Sequence, residues 1–120
     1  MSRVIWYYSF MDDVFCQIAK GEVKTKKVFE NETILVIEDT NPKAKIHFLI
    51  FPKEHIADSP NQDIPAKVLS EIFKAARNVA KLKGVDKTGF RLVTNHESDA
   101  GQTIKHIHFH LLGGEKLKEI

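Results

Sequence analysis

The residues best placed to do chemistry are three histidines at alternate positions, His106-Ile107-His108-Phe109-His110. In an extended segment successive side chains point to opposite faces, so the three imidazoles project from one side while Ile107 and Phe109 face the core. The chain has six histidines, and strict alternation with apolar partners is a poor match to chance placement. Two chemistries fit. Imidazoles are common zinc ligands, and a His-x-His pair on a strand grips a metal with His47 or His55 as a further ligand. Alternatively, a neutral imidazole attacks phosphorus while its neighbours orient or protonate it. Lys105 is a poor rival nucleophile. Its ordinary pKa of about 10.4 leaves about one part in 10³ unprotonated at neutral pH, where histidine is mostly neutral.

The preceding residues favour phosphorus. Asn95 and the run Ser98-Asp99-Ala100-Gly101-Gln102-Thr103 place a glycine and several neutral donors just ahead of the histidines. Gly101 lets the backbone approach an anion closely, and Gln102 and Thr103 offer N–H and O–H groups to phosphoryl oxygens. A zinc ion has no use for such donors. Ser98 and Asp99 alone read as a polar turn.

The elements that must position these groups follow from pattern. Asp12 or Asp13 caps a short helix whose Val14, Phe15 and Ile18 share a face and which ends at Gly21. Residues 27–29 and 34–37 read as hairpin strands, and residues 46–51 as a third strand closed by Pro52. The segment 39–43, with Asp39, Asn41 and Pro42, is a turn, and residues 58–65 form a polar connection. A long helix starts near Asp63 and Pro65, carries Val68, Leu69, Ile72, Phe73, Ala76, Val79 and Ala80 on one face, and stops at Gly84. Residues 90–94 and 104–112 supply strands four and five. The pattern predicts an α+β fold, an antiparallel meander of about five strands with two helices on one face.

Bulk properties narrow the function. A chain of 120 residues has room for one domain, which buries roughly two-thirds of its unfolded surface. Its composition, 42% hydrophobic and 28% charged, is that of a soluble globular protein, and no apolar run approaches the roughly 20 residues of a membrane span. A net charge of +2 gives no case for binding nucleic acid. The single cysteine, Cys16, cannot form an internal disulfide and excludes a multi-thiolate metal site. Residues 1–11, with Trp6, Tyr7, Tyr8 and Phe10 but no signal-peptide pattern, read as a poorly ordered extension of a cytoplasmic protein.

The run His106-Ile107-His108-Phe109-His110-Leu111-Leu112 fits an H-φ-H-φ-H-φ-φ signature, φ being apolar, and resembles the histidine triad family of nucleotide hydrolases and transferases. The resemblance spans residues 12–114, leaving 115–120 as a short tail. It takes in Phe15-Cys16-Gln17-Ile18, the segment His47-Phe48-Leu49-Ile50-Phe51-Pro52-Lys53-Glu54-His55-Ile56, and Gly101-Gln102-Thr103. It looks like the Hint branch, which implies a homodimer with its sheet extended across the two copies and hydrolysis of purine nucleoside phosphoramidates or acyl adenylates. AMP or GMP would be the type of nucleotide bound.

The same resemblance implies roles. His108 would be the nucleophile that forms a nucleotidyl-imidazole intermediate, flanked by His106 and His110 and supported by His47. His110, Gln102, Thr103, Asn95 and Gly101 would hold the phosphate, Asp39 and Thr40 the ribose, and Phe15, Ile18 and Ile37 the purine. Three features depart from the branch: Thr103 where serine is common, Thr40 where isoleucine is common, and only six residues after Gly114. Some bacterial relatives carry Cys-x-x-Cys in the first helix and bind structural zinc. Here Asp13 takes the earlier cysteine's place, so the resemblance implies neither a structural zinc nor any required cofactor.

Overall fold

A computed structural model describes residues 13–57 and 63–120. The extension 1–11, Asp12 and residues 58–62 of the 58–65 connection lie outside the described residues. Helix α1 (Val14–Ala19) is capped by Asp13, whose side chain accepts from the Cys16 N–H at 2.9 Å. The chain leaves α1 through Gly21 at φ 81°, the left-handed turn expected of it. Strands β1 (Lys27–Glu30), β2 (Ile34–Glu38) and β3 (Ile46–Pro52) follow. Helix α2 (Ala66–Lys83) begins after Pro65 and is stopped by Gly84 at φ 76°. A short helix α3 (Val85–Thr88), unexpected from the sequence, precedes β4 (Phe90–Val93), and β5 (Phe109–Gly113) ends the sheet.

All pairings are antiparallel, in the order β1-β2-β3-β5-β4. The first three strands form the meander. The last two make a hairpin that docks with β5, not β4, against β3. This order brings the histidines of β5 beside His47, because Leu49 faces His110 and His47 faces Leu112 in the register.

Both faces of the sheet are covered, which corrects the expectation of helices on one face. Ile34 and Val36 of β2, Phe48 and Ile50 of β3, and Phe109 and Leu111 of β5 pack with Ile72, Ala76, Val79 and Ala80 of α2. The residues between them, Leu35, Ile37 and Phe51, pack instead with Phe15 and Ile18 of α1. Buried on both sides, β2 has no polar alternation, which is why its sequence reads as a continuous apolar run. The apolar side chains of the six-residue α1 are satisfied on the otherwise free face of the sheet. The histidines share that face.

Candidate active site

Period two survives in the burial pattern. Ile107, Phe109 and Leu111 lie in the α2-side core, and the histidines between them point toward α1. Regular strand, however, is shorter than the expected 104–112. Only His110 belongs to β5, while His106 sits in an isolated bridge with Ala57. The Phe15 ring lies 5.6 Å from that of His106 and 4.8 Å from that of His108, and His108 and His110 are 5.3 Å apart.

The middle and last rings are both half-buried, whereas the first is buried. His108 is half-buried, and its Nδ1–H donates to the His106 carbonyl at 2.8 Å. A carbonyl only accepts, so the proton of the neutral ring is at Nδ1 and the lone pair is at Nε2. The His108 carbonyl in turn accepts from the Thr94 hydroxyl at 2.9 Å, which pins the backbone of the triad to the end of β4.

His110 is held by His47 through a chain of defined protons. The Lys43 backbone N–H donates to His47 Nδ1 at 2.9 Å, so the neutral His47 carries its proton on Nε2 and can donate to His110 Nδ1, 2.9 Å away. That leaves the Nε2–H of His110 free to donate. Burial, then the neighbouring His108 and His47, push His110 down to about 4, and burial also lowers His47. Both rings are therefore neutral at pH 7. Asp39 Oδ2 lies 3.3 Å from His47 Nε2 while Oδ1 accepts from the Asn41 N–H at 2.8 Å. Asp39, His47, Asn95 and His110 line one cavity of about 350 Å³.

The other expected residues are distributed around this row. Phe15, Ile18 and Ile37 are 4–5% exposed and pack in one cluster with Leu35 and Phe51. Thr40 is exposed in the turn after Asp39. Gly101 closes a 3₁₀ turn (Ser98–Ala100) at φ 89°, and the Gln102 side-chain oxygen accepts from the Glu97 N–H at 2.8 Å. Glu97 itself stands at φ 66° and ψ 176°, a region costly for a side-chain-bearing residue, so the Gln102 bond sustains a strained loop. Thr103 lines a different cavity, about 290 Å³, with Asp13, His55 and His106.

His106 departs most from its expected role. It is fully buried rather than surface-facing, and its Nε2–H donates to the Pro52 carbonyl at 2.7 Å. Its Nδ1 faces Asp13 Oδ1 at 3.2 Å and Cys16 Sγ at 3.5 Å. Its backbone carbonyl in turn holds the His108 ring. The triad is thus parted into two groups, His110 with His47 and Asp39, and His106 with Asp13, Cys16 and His55. Among the described residues no one group of metal-ligating atoms brings the three triad imidazoles together.

Sequence reasoning missed the second group, along with Thr94 and the Lys43 amide. Asp13 and Cys16 stand one helical turn apart, a usable signal, but His55 and His106 join them from 39 and 90 residues beyond Cys16. Burial raises the Asp13 pKa, and the bonds from His106 and the Cys16 N–H outweigh it, holding the carboxyl down to about 2.

Comparison with known proteins agrees with this geometry. The family model for the HIT domain matches residues 20–117. An uncharacterized HIT-like protein of Helicobacter pylori is 42% identical over 106 residues, covering 87% of this chain and 98% of its own. Among solved structures, a histidine triad protein from Clostridium difficile superposes with a TM-score of 0.83 at 45% identity, covering 92% of this chain and 96% of that one. A HIT family hydrolase from Legionella pneumophila gives 0.82 at 41% identity, covering 88% and 95%.

Proposed function

Because this chain belongs to the HIT family, we propose that it is a hydrolase of nucleotide conjugates, cleaving purine nucleoside phosphoramidates or acyl-nucleotides at the α-phosphate through a covalent nucleotidyl-His108 intermediate. The observation that carries the reading is the His108 tautomer. With Nδ1–H donated to the His106 carbonyl, Nε2 is the nitrogen whose lone pair would make the attack.

In the first step that lone pair forms an N–P bond and the P–N bond to the leaving amine breaks, the amine taking a proton from solvent as it departs. In the second, water attacks phosphorus, the His108 N–P bond breaks, and the nucleoside monophosphate leaves with the neutral ring restored. His110, kept neutral by burial, donates its Nε2–H to a phosphoryl oxygen. Asn95, Gly101 and Gln102 supply further donors, with Thr103 approaching the phosphate from the neighbouring cavity, Asp39 and Thr40 meet the ribose, and Phe15, Ile18 and Ile37 flank the purine. The His47 to His110 bond fixes which nitrogen donates without adding charge.

Assembly as a homodimer is part of the same proposal. β4 is an edge strand, and Phe73 of α2 is 48% exposed while packing edge-on against Phe109. Pairing two β4 edges would extend the sheet across both copies and cover unpaired backbone groups.

The test is release of AMP from an adenosine 5′-phosphoramidate by the purified chain. His108→Ala is expected to lower kcat by a factor on the order of 10³ or more. Unchanged turnover in the variant would remove His108 as nucleophile, and nucleotide binding with no turnover in the wild type would instead support a binding module.

A further inference from the structure

Resting on the proposed reaction and deepening it, we infer that His47 is a positioning residue that couples recognition of the sugar hydroxyls at Asp39 to the hydrogen bond that His110 gives the phosphate. Its Nε2 carries one proton and faces two acceptors, His110 Nδ1 at 2.9 Å and Asp39 Oδ2 at 3.3 Å. That proton cannot shift to the other ring nitrogen, because the Lys43 backbone N–H donates to His47 Nδ1 at 2.9 Å. Burial keeps the ring from taking up a second proton. One donor is therefore divided between a neutral imidazole and a carboxylate.

The division is open to a ligand. The carboxylate is the stronger acceptor, charge-assisted bonds being roughly twice as strong as neutral ones, yet it is the more distant of the two. Asp39 Oδ1 accepts from the Asn41 N–H at 2.8 Å, so Oδ2 is the oxygen left to choose between His47 and a further donor. Asp39 and His110 line the same cavity of about 350 Å³, where one bound molecule can meet both. His47 is buried and joins them through its single proton.

A sugar hydroxyl donating to Asp39 Oδ2 draws on that oxygen's charge and leaves the His47 proton to His110 Nδ1. With Nδ1 accepting, the neutral His110 ring must carry its own proton at Nε2, the donor that the proposed reaction uses. A conjugate without those hydroxyls leaves Asp39 competing for the His47 proton, and the His110 tautomer is less firmly set. The consequence is kinetic. A grip on the sugar that is equal in the ground and transition states lowers KM alone, whereas coupling through His47 carries part of the benefit into kcat.

The test compares adenosine 5′-phosphoramidate with its 2′,3′-dideoxy analogue. In the wild type, loss of the hydroxyls is expected to lower kcat about 10-fold, in addition to any rise in KM. His47→Gln presents an amide nitrogen with two N–H groups, one for each acceptor, so the competition ends and the dideoxy penalty should fall on KM alone. A wild-type penalty confined to KM would overturn the proposal, as would an equal kcat penalty in His47→Gln. Nitrogen-15 NMR of the histidine rings reads the same coupling without turnover. Saturating AMP should move His110 fully to the Nε2-protonated tautomer with Nδ1 as acceptor, and saturating 2′,3′-dideoxy-AMP should not. Equal changes from the two nucleotides would overturn the coupling whatever becomes of His108 as nucleophile, because this measurement needs only binding.

Discussion

At the scale of single residues, the site works through which nitrogen carries a proton. Two backbone groups decide this, the Lys43 N–H at His47 and the His106 carbonyl at His108. Neither is visible in a sequence, whereas the identity of the imidazoles is. The depressed His110 has a testable sign. Its folded pKa of about 4 lies below the ordinary 6.5, so between those values the unfolded chain binds more protons than the folded one, and stability rises with pH across that window. The urea midpoint should therefore fall as pH drops from about 6.5 toward 4, with His47 contributing in the same direction, and the fall should shrink in His110→Gln. A midpoint flat over that range would contradict the neutral pair. Thr94→Val removes the hydroxyl that holds the His108 carbonyl. The expected loss is about 1 kcal/mol of stability by denaturant titration, with kcat falling more than KM rises, because in the proposed reaction it is the attacking ring that loses its anchor.

At the scale of elements, the apolar periodicities carried most of the information. The alternation around His106–His110 correctly assigned Ile107 and Phe109 to the core, and the spacing from Val68 to Ala80 correctly marked one face of α2. Leu111→Ala, at a fully buried position, is expected to cost about 2–5 kcal/mol, whereas Leu82→Ala, 68% exposed on α2, should stay within about 0.5 kcal/mol. Comparable losses at the two positions would contradict the assigned face. What periodicity could not tell was which side of the sheet α1 would cover, since Phe15 and Ile18 are apolar whichever face they meet. Nor could it show that strand geometry lapses before Phe109. There the backbone turns its hydrogen bonds to Ala57 and Ile56 instead, and this sends the His106 ring into the α1 cluster.

At the scale of the whole molecule, the sheet order sets two polar clusters at opposite ends of one row of rings. Asp39 and His47 lie at one end, Asp13, Cys16, His55 and His106 at the other, and His108 stands between them against Phe15. Pairwise antiparallel strands were legible from composition and turns, but the insertion of β5 between β3 and β4 was not, because it depends on long-range pairing. Among the described residues no helix is long and apolar enough to cross a membrane. Light scattering should report twice the chain mass if β4 edges pair, and a charge pair introduced there, Arg91→Glu with Leu92→Glu, should shift the population to monomer. A wild type that stays monomeric at high concentration would contradict that assembly. The most direct test of the account is to quench the wild-type chain during turnover of an adenosine phosphoramidate and map the adduct by mass spectrometry. The expected result is a mass increase of one adenylyl group on the peptide containing His108, localised to that ring and missing in His108→Ala. An adduct on another side chain, or steady turnover with no adduct on rapid quenching, would contradict it.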